Sequence, residues 1–197
     1  MEMHLFTTLL LAHLFADFPL QTNGLAKLKR ESLAGVFLHV LVYIAITTWV
    51  IREPLTYWPL ILGLGVVHFL IDALKVHCPQ TVGTFYFLID QCLHFLSIGV
   101  ATFLALRWWA NPPHSNLPYD VVRIALGCAL VLAGMVFCWV WVNNLNEEQV
   151  QQHFLLRWTK QQMLVLEQRM GLVLLGCVFA IPTYQWLTTI FHFGNRW

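Results

Sequence analysis

The sequence predicts an all-α protein: a polytopic membrane bundle of about six transmembrane helices, with one amphipathic helix at the membrane interface. Two observations carry that expectation. The 197 residues are 58% hydrophobic and 11% charged, with a mean hydropathy of +0.65. A soluble domain is about a quarter charged, so this chain has too few charged groups to cover a water-facing surface. The second observation is spacing, because apolar stretches recur at about the 20-residue length that spans a bilayer as a helix. The net charge of +1 leaves no electrostatic footprint for nucleic acid.

Six spans are expected, at about 4–20, 33–51, 58–76, 85–107, 120–142 and 170–191. Pro19, Pro54, Pro79 and the run "NPPHSNLP" at 111–118 punctuate the links between them. The third and fourth spans are joined by the tight "HCPQTVGT", which sets them antiparallel and side by side. The start, "MEMH", lacks the basic region and small-residue cleavage site of a signal peptide, so the first apolar segment is expected to persist. Residues 143–169 are polar but helix-prone, with Leu145, Val150, Phe154 and Trp158 loosely on one side. They read as an amphipathic helix on the membrane surface, or equally as an extension of the sixth span into solvent. The five cysteines, 78, 92, 128, 138 and 177, form no CxxC pair and read as small buried hydrophobes. The tryptophans, Trp108 and Trp109 among them, read as interfacial anchors.

Against this greasy background the polar residues stand out. His13 and Asp17, His68 and Asp72, and Asp90 and His94 are each four residues apart, so each pair shares one helix face. His39 adds a single imidazole from the second span. His13, Asp17, His68 and Asp72 lie near the ends of their spans, and His39, Asp90 and His94 near the starts of theirs. Alternating helix directions therefore bring all seven to one end of the bundle. Lys27, Lys29, Arg30, Lys75, Arg157, Lys160 and Arg169 fall on that same side, against Arg52, Arg107, Arg123 and Arg196 on the other. The positive-inside rule then makes it the cytoplasmic side, with both termini outside.

An uncompensated carboxylate inside a membrane costs several kcal/mol. A lone buried histidine is most simply a core hydrogen-bonder, and one His/Asp pair a lock between helix turns. Three pairs and a matching histidine at a common depth point instead to metal, with Zn the first expectation and Mn or Fe the alternatives. Three carboxylates with one divalent ion leave about −1, and with two ions about +1, which suits an anionic substrate group. Seven donors also exceed the four that a tetrahedral ion takes. A dinuclear site is therefore expected on His13, Asp17, His39, His68, Asp72, Asp90 and His94, with His39, Asp72 and Asp90 also the candidates for direct catalytic roles. Gln21 and Gln91 are candidates for orienting ligands, His77 for an entry position, and His4, His114, His153 and His192 lie outside the zone.

At "LLAHLFADFPLQT", "HFLIDALKV" and "FLIDQCLHFLSI" the chain resembles a family of small bacterial inner-membrane proteins, domain of unknown function 3307, over roughly residues 5–105. It is more distantly similar to bacterial membrane-bound metal-dependent hydrolases, which also place His and Asp at membrane-helix ends. The spans and the placement of the seven residues lay out one integral membrane domain over 1–197, with a four-helix metal-binding core at 1–108. Residues 119–197 then supply two accessory spans and the interfacial helix 143–169.

Four functions compete on these residues. The first is a metal-dependent hydrolase of the bacterial inner membrane, acting on a lipid or lipid-linked phosphate or ester, with Lys27, Lys29 and Arg30 placed to hold an anionic headgroup. The second is a divalent-metal transporter, since HxxxD pairs within six spans are similar to the sites of zinc exporters. The third is a non-catalytic membrane subunit clamped by metal. A di-iron oxidase fits less well, because such bundles use glutamates with ExxH and no Glu lies in the zone. Association into a homodimer stays open, because no GxxxG motif requires it.

Overall fold

The computed structural model describes residues 2–76 and 83–194, with side chains described between 3 and 180 inside those ranges. His77 and Cys78 lie outside the described residues, as do the side chains of His192 and Arg196. Among the described residues eight helices follow in order: α1 (Glu2–Asp17), α2 (Asn23–Glu31), α3 (Leu33–Val50), α4 (Trp58–Val76), α5 (Thr84–Trp108), α6 (Tyr119–Asn143), α7 (Glu147–Gln152) and α8 (Phe154–Gly194). α3, α4, α5, α6 and α8 up to Ala180 are long and apolar enough to cross a membrane, and α1 is a shorter apolar helix. The protein is a multi-pass membrane helical bundle.

α1 is the hub. Leu9, Leu11, Ala12, Leu14, Phe15 and Ala16 are all fully buried, and the helix packs against α3, α5 and α6. A helix apolar on every side is stable only where it is surrounded. α4 and α5 instead expose Val66, Leu70, Leu74, Leu96, Val100 and Phe103, an outward surface suited to lipid. Gly65 lets α4 close on α3, since a Cβ there would meet the Ile44 side chain at 2.7 Å. The cysteines correct the expectation of buried small hydrophobes: Cys92, Cys128, Cys138 and Cys177 are all exposed and free. A thiol is apolar enough to face lipid, so spacing within an apolar helix did not decide its side.

One end of the bundle is clasped by the segment after α5. Arg52 N donates to His114 O at 2.8 Å and Asn116 N to Val50 O at 2.8 Å, and Ile51 pairs with Ser115 as an isolated antiparallel bridge. Tyr57 Oη donates to Asn111 O at 2.9 Å. His4 and His114 line a cavity of about 500 Å³ at this end, away from the other histidines of α1, α3, α4 and α5.

The opposite end differs most from expectation. Residues 21–32 read as a link, yet they hold α2, a helix fixed at both ends. Thr22 Oγ1 accepts from Leu25 N at 3.3 Å. Ser32 closes α2 through its N–H to Leu28 O at 3.0 Å and opens α3 by accepting from Gly35 N at 3.1 Å, so one serine serves as cap for two helices. A Cβ on Gly35 would fall inside the Leu28 carbonyl, which shows how closely α2 folds back on α3. The polar stretch 143–169 is also divided differently. Asn143 ends α6, α7 is a short helix, and residues 154–169 are the first part of a continuous 41-residue α8. At 1.5 Å per residue α8 is about 60 Å long, twice the hydrocarbon thickness, so it extends beyond the bilayer core, as the solvent-extension reading of this stretch expects.

Candidate functional site

The site forms where four helices and the folded-back α2 meet. α1 contributes His13 and Asp17 from its last turns, α3 His39 from its second, α4 His68 and Asp72, and α5 Asp90 and His94. The structure brings all seven together and buries each below a tenth of its exposed surface. Three overlapping sets of three donors have their atoms within 4.8 Å of one another: His13, His68 and His94; Asp17, His39 and His68; and Asp17, Asp90 and His94. These buried His/Asp groups have the composition and spacing to bind a metal ion.

Four donors converge most tightly. His39 Nε2 lies 2.9 Å from Asp17 Oδ1 and 3.0 Å from His68 Nε2. His68 Nε2 lies 3.4 Å from Asp17 Oδ1 and 3.2 Å from Asp72 Oδ2, which is 3.7 Å from His39 Nε2. A tetrahedral ion with bonds of 2.0–2.1 Å spaces its ligand atoms about 3.3 Å apart, and these distances straddle that value. The hydrogen-bond arithmetic points the same way. Two imidazole Nε2 atoms at 3.0 Å share at most one proton well, and that proton competes with Asp17 for the same geometry. A cation between them would let both imidazoles and Asp17 act as ligands together.

The other three residues surround this quartet. His94 Nε2 sits 3.3 Å from Asp90 Oδ1 and 3.6 Å from Asp72 Oδ1, and has no hydrogen-bond partner among the described residues. The His68 and His94 rings have centroids 4.2 Å apart. His13 is 3.9 Å from Asp17 through Nδ1 and 3.4 Å from Gln91 Oε1 through Nε2, a position behind the quartet.

Three groups in the site were assigned elsewhere by sequence reasoning or left undecided. Lys29, counted among loop cations, is buried on α2 with Nζ 2.7 Å from Asp72 Oδ2 and 3.4 Å from Gln21 Oε1. Lys75 pairs with Asp72 Oδ1 at 2.8 Å and with Asp90 Oδ1. Gln91 donates to Asp90 Oδ2 at 3.1 Å and approaches Asp17 Oδ2 at 3.4 Å, so it orients two carboxylates and His13 together. Tyr43, fully buried, stacks on His68 with centroids 4.5 Å apart. The signal for Lys75 was present, since it stands three residues after Asp72 on one helix face. The two ammonium groups change the charge count: the three aspartates already meet two positive charges from the chain itself. Lys27 and Arg30, by contrast, stay exposed on α2.

The fold and this cluster define a class: a multi-pass helical membrane protein with a buried imidazole–carboxylate centre at one end. Residues 5–117 match the family described as "Protein of unknown function (DUF3307)". That is more than half of the chain, and the protein belongs to this family. The match takes in α1 to α5 and the clasp after α5, and stops just before α6, so every residue of the cluster lies within it. No curated protein and no solved structure matches the chain, and nothing found supports the more distant similarity to metal-dependent hydrolases.

Proposed function

We propose that the protein is a divalent-metal-dependent hydrolase acting at a membrane interface on a lipid or lipid-linked phosphate or ester. The observation that supports the metal is the convergence of Asp17 Oδ1, His39 Nε2 and His68 Nε2 within 3.4 Å of one another, with Asp72 Oδ2 3.7 and 3.2 Å from the two imidazoles. Zn suits this donor set best, with Mn and Fe as alternatives. Bound there, such an ion lowers the pKa of a water and polarises a phosphoryl or acyl oxygen.

The chain's own groups supply the rest. His94, its Nε2 unpartnered and set against Asp90, accepts the proton of the attacking water. Asp90 holds the imidazolium that results. Water oxygen bonds to phosphorus or acyl carbon as the ester bond to the alcohol breaks, and the leaving oxygen takes the proton that His94 accepted, while the Lys75 ammonium beside it keeps its charge. Lys75 is 39% exposed at its side chain while Asp72 is fully buried, so substrate approaches from the Lys75 side. The basic α2 lies alongside, with Lys27 and Arg30 outward to receive an anionic headgroup. The lysine and arginine distribution supports a cytoplasmic face for the site, and a bacterial inner membrane is the setting that the family resemblance implies.

The test is hydrolysis of a panel of lipid phosphates and esters by purified protein in nanodiscs, with and without chelator. Turnover that stops on chelation and returns with Zn supports the reading. Equal turnover in both, or no turnover alongside zinc flux in proteoliposomes, overturns it, the second outcome in favour of a carrier.

A further inference from the structure

We infer that the centre takes one divalent ion, and that the Lys75 ammonium permanently occupies the place a second ion would take. The inference rests on the metal reading above and specifies it.

Three observations meet at Lys75. Its Nζ lies between Asp72 Oδ1, at 2.8 Å, and Asp90 Oδ1. His94 Nε2 faces the same two oxygens, at 3.6 and 3.3 Å, and is buried without a hydrogen-bond partner among the described residues. Asp72 spans both loci, with Oδ2 in the quartet and Oδ1 on Lys75. A carboxylate bridging two cations is how two-metal sites hold their ions 3.5–4 Å apart. Here one of the two cations is covalently part of α4.

Charge decides the count. The expectation of two ions came from leaving about +1 beside three aspartates. With Lys29 and Lys75 included, a single divalent ion leaves the same +1, and two ions would leave about +3 in a buried site. Ligand number agrees. Asp72 Oδ1, Asp90 Oδ1 and His94 Nε2 form a three-donor set, enough for an ion with an open position, once the ammonium is removed. An ammonium also carries three N–H donors. Two face Asp72 and Asp90, leaving one for an anionic oxygen of a ligand, a role that a second ion would otherwise fill.

The experiment is zinc stoichiometry in detergent after desalting, on the wild-type chain and on Lys75→Gln and Lys75→Arg. One equivalent in the wild type and in Lys75→Arg, rising to two in Lys75→Gln, is the expected result. Two equivalents in the wild type, or one in Lys75→Gln, overturns this inference while leaving the hydrolase reading standing. No held ion in any of the proteins overturns both. Because Lys75→Gln removes a buried counter-charge and could misfold, the wild type is also loaded with Mn and examined by electron paramagnetic resonance. An isolated six-line signal supports one ion, and an exchange-coupled pair overturns it.

Discussion

Lys29→Met separates a metal-competing ammonium from a merely structural one. The Lys29 side chain is 9% exposed and Asp72 is fully buried, with Nζ 2.7 Å from Asp72 Oδ2. That oxygen is also one corner of the proposed tetrahedron, 3.2 Å from His68 Nε2. Without metal, Lys29→Met leaves three buried carboxylates facing one ammonium. Breaking a buried pair in this way costs about 3–5 kcal/mol. At about 2–4 °C per kcal/mol for a chain of this size, the thermal midpoint of the chelated protein falls by roughly 6–20 °C. With metal the sign of the effect changes: the ion takes over the lost positive charge, and Asp72 Oδ2 no longer has a competitor. The zinc-saturated variant should then melt within about 5 °C of the zinc-saturated wild type, and its zinc affinity should rise. Lys27→Met is the control, because its pair with Glu31 at 4.0 Å is between two exposed side chains and is worth under about 1 kcal/mol. Scanning calorimetry or fluorescence melting in detergent, with chelator and then with excess zinc, reads all three proteins. An equal fall for Lys29→Met in both conditions refutes the reasoning and makes Lys29 a structural residue only.

Other substitutions test separate parts of the site. Asp72→Asn keeps the side-chain shape but removes the carboxylate shared between the quartet and Lys75, and zinc retention on desalting should be lost while helical content by circular dichroism is kept. Gln91→Leu removes the amide that steadies Asp17 and Asp90, and groups of this kind are worth about 10–100-fold in metal affinity; a competition titration that finds less than threefold contradicts that role. Gly35→Ala forces a methyl into the Leu28 carbonyl, so α2 must shift and withdraw Lys29, and the expected cost is about 1–3 kcal/mol together with a gain in zinc affinity like that of Lys29→Met.

The histidines and aspartates were legible because burial in lipid is so costly for them that their presence has few explanations. Their shared depth followed from helix alternation alone. Lys29 and Lys75 were not legible in the same way. A lysine near a membrane-helix end satisfies the positive-inside rule whether it points outward or inward, and only the fold-back of α2 through Ser32 and Gly35 shows that Lys29 turns inward while Lys27 does not. The six apolar stretches were legible from hydropathy, but the boundary drawn at 169 was not a helix boundary. Backbone hydrogen bonds run through a change of polarity without interruption, so α8 continues where composition suggested a joint. The sides of the cysteines were hidden for a related reason, since lipid and protein interior are both apolar.

The central claim is that Asp17, His39, His68 and Asp72 hold a divalent ion. Zinc K-edge X-ray absorption on the zinc-loaded protein tests it most directly. About four nitrogen and oxygen neighbours at 2.0–2.1 Å are expected, with the multiple-scattering signature of two imidazoles, and loss of bound zinc in His68→Ala. Sulfur neighbours, a signal without imidazole, or unchanged zinc in His68→Ala would contradict it.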